Sequence, residues 1–366
     1  MNILIVNDSP MITALVRAVV ETCPDYRVTG TAPNGKKGVE MALMHRDYPR
    51  PDLVLMDLHM PEMSGWNAVE KILSVAPDTR ILITTATVTR NIPLVFDCLR
   101  MGALDYVRSP SLTARPGTPV TTARLREAGR DLLAKIGLVM GMAAPRPGVL
   151  AGGKASPGRI RPVRPIRPVR PAASGAGRPA KMRYLGIGCS TGGPTTLLPL
   201  LRALPVPLSG PVLVCQHMDA PFVPGFVEWL NTNSGFPACT ARDRVMPEPG
   251  TIYVVPGNQN LTVSASGRLM LEKPLPGQFL TPNIDVLFTS MAAHLKALAA
   301  AVILTGLGRD GARGLKAVKA AGGRVYVQTP GSAVIRSMPE AALAEAGLPD
   351  LGLTPEDIGL AVGREV

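Results

Sequence analysis

Short apolar runs alternate with segments of helical period along most of the chain. Ile3 to Val6 is one such run, and Ile12, Leu15, Val16 and Val19 behind it follow an i, i+3, i+4, i+7 stripe. Val28 to Thr31, Leu53 to Met56, Ile81 to Thr84 and Asp105 to Val107 repeat the strand pattern, with helical segments between them. Fully apolar strands alternating with helices predict a parallel sheet covered on both faces. The alternation stops near residue 125 and resumes at Tyr184–Gly188, Val212–Cys215 and Ala301–Leu304. Ile284, Leu287, Phe288, Met291 and Leu295 make a further helical stripe there. Between these lies a β-rich excursion, Gly250 to Gly257, Leu261 to Val263 and Arg268 to Leu271, turning at Gly257-Asn258 and Ser266-Gly267. The pattern predicts two α/β domains, the second with an inserted β-hairpin.

The stretch from 126 to 182 is expected to be a linker, rich in Pro and Arg from residue 145. Arg161-Pro162-Val163-Arg164-Pro165-Ile166-Arg167-Pro168-Val169-Arg170-Pro171 places proline at every third position, which suits an extended polyproline II spacer. The chain of 366 residues carries a formal charge of +12, with 39 Lys and Arg against 27 Asp and Glu. Ten of the basic residues lie between Pro145 and Arg183, where no acid occurs, so 29 face 27 elsewhere and the folded parts are almost neutral. The basicity therefore does not argue for nucleic acid as a partner of either domain. A polybasic contact to acidic lipid or nucleic acid remains the alternative to a solvated tether. Five cysteines, none in a C-x-x-C spacing, argue against a disulfide framework or a structural zinc site. With no signal-peptide pattern and no apolar run long enough to span a bilayer, a cytoplasmic protein without membrane insertion is expected.

Ligands of open parallel sheets sit beyond the carboxyl ends of the strands. Asp8 follows the first strand, Asp57 ends the third, Thr84 the fourth and Arg108 the fifth, just before Ser109-Pro110. Converging carboxylates suit Mg²⁺, which takes hard oxygen ligands and eases the approach of a phosphoryl group to an acid. Thr84 is expected to hydrogen-bond a phosphoryl oxygen and Arg108 to neutralise its charge.

In the second half, Tyr184-Leu185-Gly186-Ile187-Gly188-Cys189-Ser190-Thr191-Gly192-Gly193-Pro194 runs from strand to helix through a glycine-rich turn. A dinucleotide loop would need glycine at Thr191 and an acid at the end of the next strand, where His217 stands, and there is no Walker lysine. A serine at this turn faces backbone N–H groups able to hold an oxyanion. His217, at a neighbouring strand end, supplies a base, and Leu304-Thr305-Gly306-Leu307-Gly308-Arg309-Asp310-Gly311 brings an acid to orient it. The other histidines, His45, His59 and His294, fall elsewhere. Ser190, His217 and Asp310 are thus the expected catalytic residues.

Residues 1–125 resemble the response-regulator receivers, a flavodoxin-like fold, through Met56-Asp57-Leu58-His59-Met60-Pro61 to Gly65 and the acids above. The resemblance implies that Asp57 accepts a phosphoryl group and that Asp8, Asp57, the His59 main chain and, weakly, Asn7 line a Mg²⁺ site. Two departures are Asn7-Asp8, where receivers usually have two acids, and Arg108-Ser109-Pro110, where they usually have Lys before Pro. Residues 183–366 resemble the catalytic domain of CheB-type chemotaxis methylesterases, a Rossmann-like parallel sheet. The matches are Gly188 to Pro194, Gln216-His217-Met218, Pro282 to Phe288 and Leu304 to Gly311. This resemblance implies hydrolysis of glutamyl methyl esters on methylated chemoreceptors, with glutamine deamidation as a second activity. It also implies a cognate chemosensory histidine kinase as phosphodonor and no cofactor for hydrolysis. The N–H groups near Thr191 and Leu307 are the oxyanion candidates. Leu307, often Met in the family, and Thr329-Pro330, in place of an acidic pair, are further departures. Asn7-Asp8 and Ala103 to Val107 look like the branch serving alternative chemosensory arrays. A receptor-array adaptor with a vestigial esterase is the competing reading; the altered receiver favours it and the intact triad opposes it. A general hydrolase of small esters is a third.

Overall fold

The computed structural model describes residues 1–43, 50–85, 92–112, 119–141, 184–274, 276–278 and 280–364. The N-terminal domain runs β1 (Asn2–Val6), α1 (Pro10–Val20), β2 (Arg27–Ala32), α2 (Gly35–Leu43), β3 (Leu53–Asp57), α3 (Gly65–Val75), β4 (Arg80–Thr85), α4 (Ile92–Met101), β5 (Asp105–Arg108), α5 (Thr122–Ala128) and α6 (Arg130–Gly141). Its five strands are parallel in the order β2-β1-β3-β4-β5, so the order reverses at β1/β3. Val54 and Met56 pack into one apolar layer and Leu53 and Leu55 into the other, the two-sided burial that the fully apolar strand implies.

The expected linker onset at 126 is corrected. Residues 122–141 are almost wholly helical, and Leu132, Ile136 and Val139 of α6 are buried against the receiver-side core. Their i, i+4, i+7 spacing carries the same signal as α1, interrupted by Gly129 and Gly137. The Pro/Arg repeat and His45 lie outside the described residues.

The C-terminal domain comprises β6 (Tyr184–Cys189), α7 (Gly193–Ala203), β7 (Val212–Gln216), α8 (Val223–Asn233), β8 (Ala238–Thr240), β9 (Ile252–Val254), β10 (Asn260–Val263), β11 (Leu269–Glu272), α9 (Ile284–Leu295), β12 (Ala299–Ile303), α10 (Ala312–Ala320), β13 (Arg324–Val327), α11 (Ser337–Ala346) and α12 (Pro355–Gly363). Six parallel strands are ordered β13-β12-β6-β7-β9-β8. Only β10 and β11 form the inserted antiparallel hairpin. Ile252–Val254, read from sequence as part of the excursion, is a buried strand of the main sheet. All five residues of the expected α9 stripe are buried. Gly186 and Gly188 are where α9 comes closest to the sheet: a Cβ on them would lie 2.7 Å from Met291 and 2.4 Å from Ile284. No helix among the described residues is long and apolar enough to cross a membrane.

The two domains pack on each other through α4 of the first against α7 and α8 of the second, and through Tyr106 of β5 against Phe222. Phe96 lies 5.0 Å from Phe226 and 5.6 Å from Trp229, and Tyr106 4.6 Å from Phe222, between ring centroids. Trp229 Nε1 donates to Asp97 Oδ1 at 3.2 Å. An aromatic core with one polar tie is the arrangement in which large rings contribute most of the burial.

Candidate active site

Three neighbouring parallel strands carry the expected catalytic residues to one rim. Cys189 pairs with Gln216 and Ile303 with Gly188, so β6, β7 and β12 end together. Ser190 follows β6, His217 follows β7, and Asp310 lies in the turn between β12 and α10. His217 Nε2 bonds Asp310 Oδ2 at 2.7 Å. The same Oδ2 accepts the Ile284 N–H at 2.7 Å, and Oδ1 the Asp285 N–H at 3.0 Å. Asp310 therefore sits on the first turn of α9, where free N–H groups favour an anion. Burial raises its pKa, but the His217 hydrogen bond and charge and the two N–H donors outweigh it, leaving the carboxyl below its ordinary value. With Nε2 turned to Asp310, Nδ1 is the nitrogen left for a proton from Ser190.

The nucleophile turn is held by its main chain. Ser190 N–H donates to Thr305 O at 3.0 Å, Gly193 N–H to Ser190 O at 2.8 Å, and Thr305 Oγ1 to Thr191 O at 3.1 Å. Thr305 N–H in turn donates to Oε1 of the fully buried Gln328 at 2.9 Å. Gly192 takes φ 77°, a left-handed conformation, and a Cβ there would lie 2.6 Å from Val334. Among the described residues the Thr191 and Leu307 N–H groups have no acceptor, as an oxyanion site requires. Leu307 is 51% exposed, whereas Ser190 is buried in this packed arrangement. Ser190 Oγ makes no hydrogen bond with a described residue; catalytic bonds of this kind often close only with substrate. Cys189, next to it, is no rival: it is fully buried, and burial pushes its thiol up to about 12.

Two side chains of the N-terminal domain reach this turn. Asp105, at the start of β5 and 3% exposed, accepts from Thr191 Oγ1 at 2.9 Å and is ion-paired with Lys135 of α6, whose Nζ also lies 3.4 Å from Thr191 Oγ1. Asp105 lies within the Ala103 to Val107 segment, but neither it nor Lys135 stands among the expected site residues, and only the packed fold brings them to the residue after Ser190.

In the receiver itself, Asp57 Oδ1 accepts the Leu58 N–H at 2.8 Å and the carboxylate also receives the His59 N–H. Burial and the charge of Asp8 raise the Asp57 pKa against these donors, burial being the larger effect. Thr84 pairs with Asp57 across the sheet and is buried beside it. Two expected residues take other parts. Asn7 donates Nδ2 to Asp57 at 3.2 Å, and its Oδ1 accepts the Ser9 N–H at 2.8 Å, so both ends of the amide are engaged in the loop. Arg108 pairs with Thr85, one step out of phase with the Asp57–Thr84–Val107 row, and is exposed. Alternate residues face opposite sides of a strand, so Arg108 points away from Asp57. Ser109 is the residue in phase, and its Oγ is buried without a partner. Among the described residues no group of three or more His, Cys, Asp or Glu assembles around a metal position.

Residues 185–362 match the CheB methylesterase family and residues 3–114 the response regulator receiver domain. A protein-glutamate methylesterase/protein-glutamine glutaminase of Cupriavidus pinatubonensis is 33% identical over 348 residues, covering 94% of this chain and 92% of that one. One from Burkholderia lata is 35% identical over 344 residues, with the same shares. The chain belongs to the CheB methylesterase family. Among solved structures, the CheB methylesterase catalytic domain of Thermotoga maritima is similar at 28% identity over 51% of this chain and 97% of that chain, with a TM-score of 0.45.

Proposed function

We propose that this chain is a receiver-regulated esterase that hydrolyses glutamyl methyl esters on chemoreceptors and releases methanol. The observation that carries the reading is the His217–Asp310 pair, set on the same strand-end rim as Ser190. Ser190 Oγ attacks the ester carbonyl while His217 Nδ1 takes its proton, and the N–H groups of Thr191 and Leu307 receive the oxyanion. The C–O bond to the methoxy group breaks, and His217 returns the proton to release methanol. Water then attacks the acyl-Ser190 ester, again through His217, leaving glutamate and free Ser190. The same sequence on a glutamine side chain releases ammonia, the glutaminase activity named for the relatives.

Regulation rests on the receiver. Asp57 is the phosphoryl acceptor in this reading, supplied by a chemosensory histidine kinase in the cytoplasm. The buried Asp57 carboxylate, with Asp8 beside it, is a donor set that fits a hard cation. Asp8 and Asp57 would hold Mg²⁺, which neutralises charge when a phosphoryl group approaches. A small phosphodonor with Mg²⁺ should therefore accelerate methanol release from methylated receptor membranes by about 5- to 150-fold, the range of common coupling energies. Asp57→Ala should show no acceleration; an equal response from the variant would remove Asp57 as the switch.

The Asp105–Thr191 contact favours the packed arrangement in which Ser190 is buried. A hydrogen bond to a charged group is worth about 1.5–3 kcal/mol, so Asp105→Ala should raise the unstimulated rate by about 10- to 150-fold, with the stimulated rate of the wild type as its ceiling. Rates measured with and without phosphodonor check this. An unchanged unstimulated rate would show that the contact does not restrain the enzyme.

A further inference from the structure

Gln216 ends β7 one residue before the base and is 3% exposed. Its Nε2 donates to Ser190 O at 2.9 Å and to His217 O at 3.0 Å. These two carbonyls decide which way the amide faces, because turning it would set Oε1 against both oxygens. In the observed orientation Oε1 is buried with no hydrogen-bond partner. It lies against Gly193, where a Cβ would come within 2.0 Å of it. A buried acceptor left unmet costs free energy, and an apolar side chain of the same length would avoid that cost. The strand is otherwise Val212-Leu213-Val214-Cys215, so a glutamine here is set apart by its amide.

What the amide joins gives the reason. The last rung between β6 and β7 pairs Cys189 with Gln216, and the last ladder bond runs from His217 N–H to Cys189 O at 3.0 Å. Ser190 O and His217 O both lie past that rung, where the sheet no longer fixes the two chains to each other. Ser190 N–H is tied to the β12 side through Thr305, which holds the nucleophile but not its spacing from the base. The Gln216 amide spans that gap. We infer that Gln216 is a positioning residue for ester hydrolysis: its amide ties the main chain of the nucleophile to that of the base and sets their separation. Gly193 leaves the room the amide needs. This rests on the Ser190–His217–Asp310 reading above.

The test uses the full-length chain, activated by phosphodonor, with methanol release from methylated receptor membranes as the readout. Wild type, Gln216→Met and Ser190→Ala are compared. Methionine fills a similar volume without the donor and without the unmet acceptor. Gln216→Met should lower kcat by about 10- to 100-fold, the loss that goes with about 1 Å of misplacement, while KM stays unchanged. Its Tm should stay near that of the wild type, since relief of the buried orphan offsets the two amide bonds lost. An unchanged kcat, a raised KM, or a lowered Tm or failure to fold would each overturn the inference. The first would show that the spacing is set elsewhere, the second a role in binding, the others a structural role. Ser190→Ala separates this from the larger reading: full release from that variant overturns the esterase assignment and the inference with it. An inert Ser190→Ala beside a fully active Gln216→Met overturns the inference alone.

Discussion

Replacing Ser190 by alanine should reduce methanol release from methylated receptor membranes to the background rate, a loss of about 10⁶-fold in kcat. The size follows from what remains. The Thr191 and Leu307 N–H groups and the His217–Asp310 pair are untouched by the substitution, so an oxyanion site and a base persist without an attacking atom. Such remnants support only about 10³–10⁴-fold over water. No neighbouring nucleophile takes over, because the Cys189 thiol is buried and held to about 12. Ser190 is bound through its main chain to Thr305 and Gln216, so the variant should fold as the wild type does. Release at the wild-type rate from a folded Ser190→Ala would remove the serine from the mechanism.

Asp310→Asn should cost about 10⁴-fold in kcat and lower stability as well. The carboxylate receives three donors on two oxygens, from His217, Ile284 and Asp285. A carboxamide has one oxygen, and its NH₂ would face a donor. The imidazole would then lose the bond that presents Nδ1 to Ser190. An unmet buried donor adds about 1–3 kcal/mol of destabilisation. The pH dependence carries a definite sign. Asp310 is held below the ordinary carboxylate range in the fold, so its stabilising contribution is fully present above about pH 4, where an unfolded aspartate ionises. That contribution is lost as pH falls through the lowered folded value. Unfolding of wild type and variant followed from neutral pH to below about pH 4 should therefore show the wild-type advantage shrinking with acid. A constant difference would mean that the Asp310 charge is not what holds the turn.

The two sheets were readable because every central strand is apolar and short, with helical stripes between. What escaped shared one cause: polar or irregular segments whose role depends on a distant neighbour. Arg324–Val327 is a half-exposed edge strand led by a charge, and Ala238–Thr240 is too brief for any period. Ile252–Val254 looked like part of the hairpin because its pairing with β7 lies some forty residues back in the sequence. The proposed triad was suggested by strand ends, since a serine, a histidine and an aspartate each followed an apolar run. Gln216 did leave a trace, a polar residue closing an apolar strand, but its meaning required the Ser190 carbonyl to be seen beside it. Asp105 was equally mute until β5 lay on the second domain. The misplaced role of Arg108 shows the opposite error, in which proximity in sequence to Pro110 outweighed the alternation of the strand.

The acid of the triad leans on a helix that carries no catalytic side chain. Ile284 and Asp285 serve Asp310 only through their peptide nitrogens, the part of a residue that nineteen of the twenty amino acids share. Substitution can therefore rewrite the side chains of that turn without touching the carboxylate it holds, within the limits that packing of Ile284 and the Asp285–Gly314 bond allow. Proline alone would erase it. The most heavily used contact in the site is thus also the one least exposed to inheritance by side chain, and its constraint is written in where the chain goes.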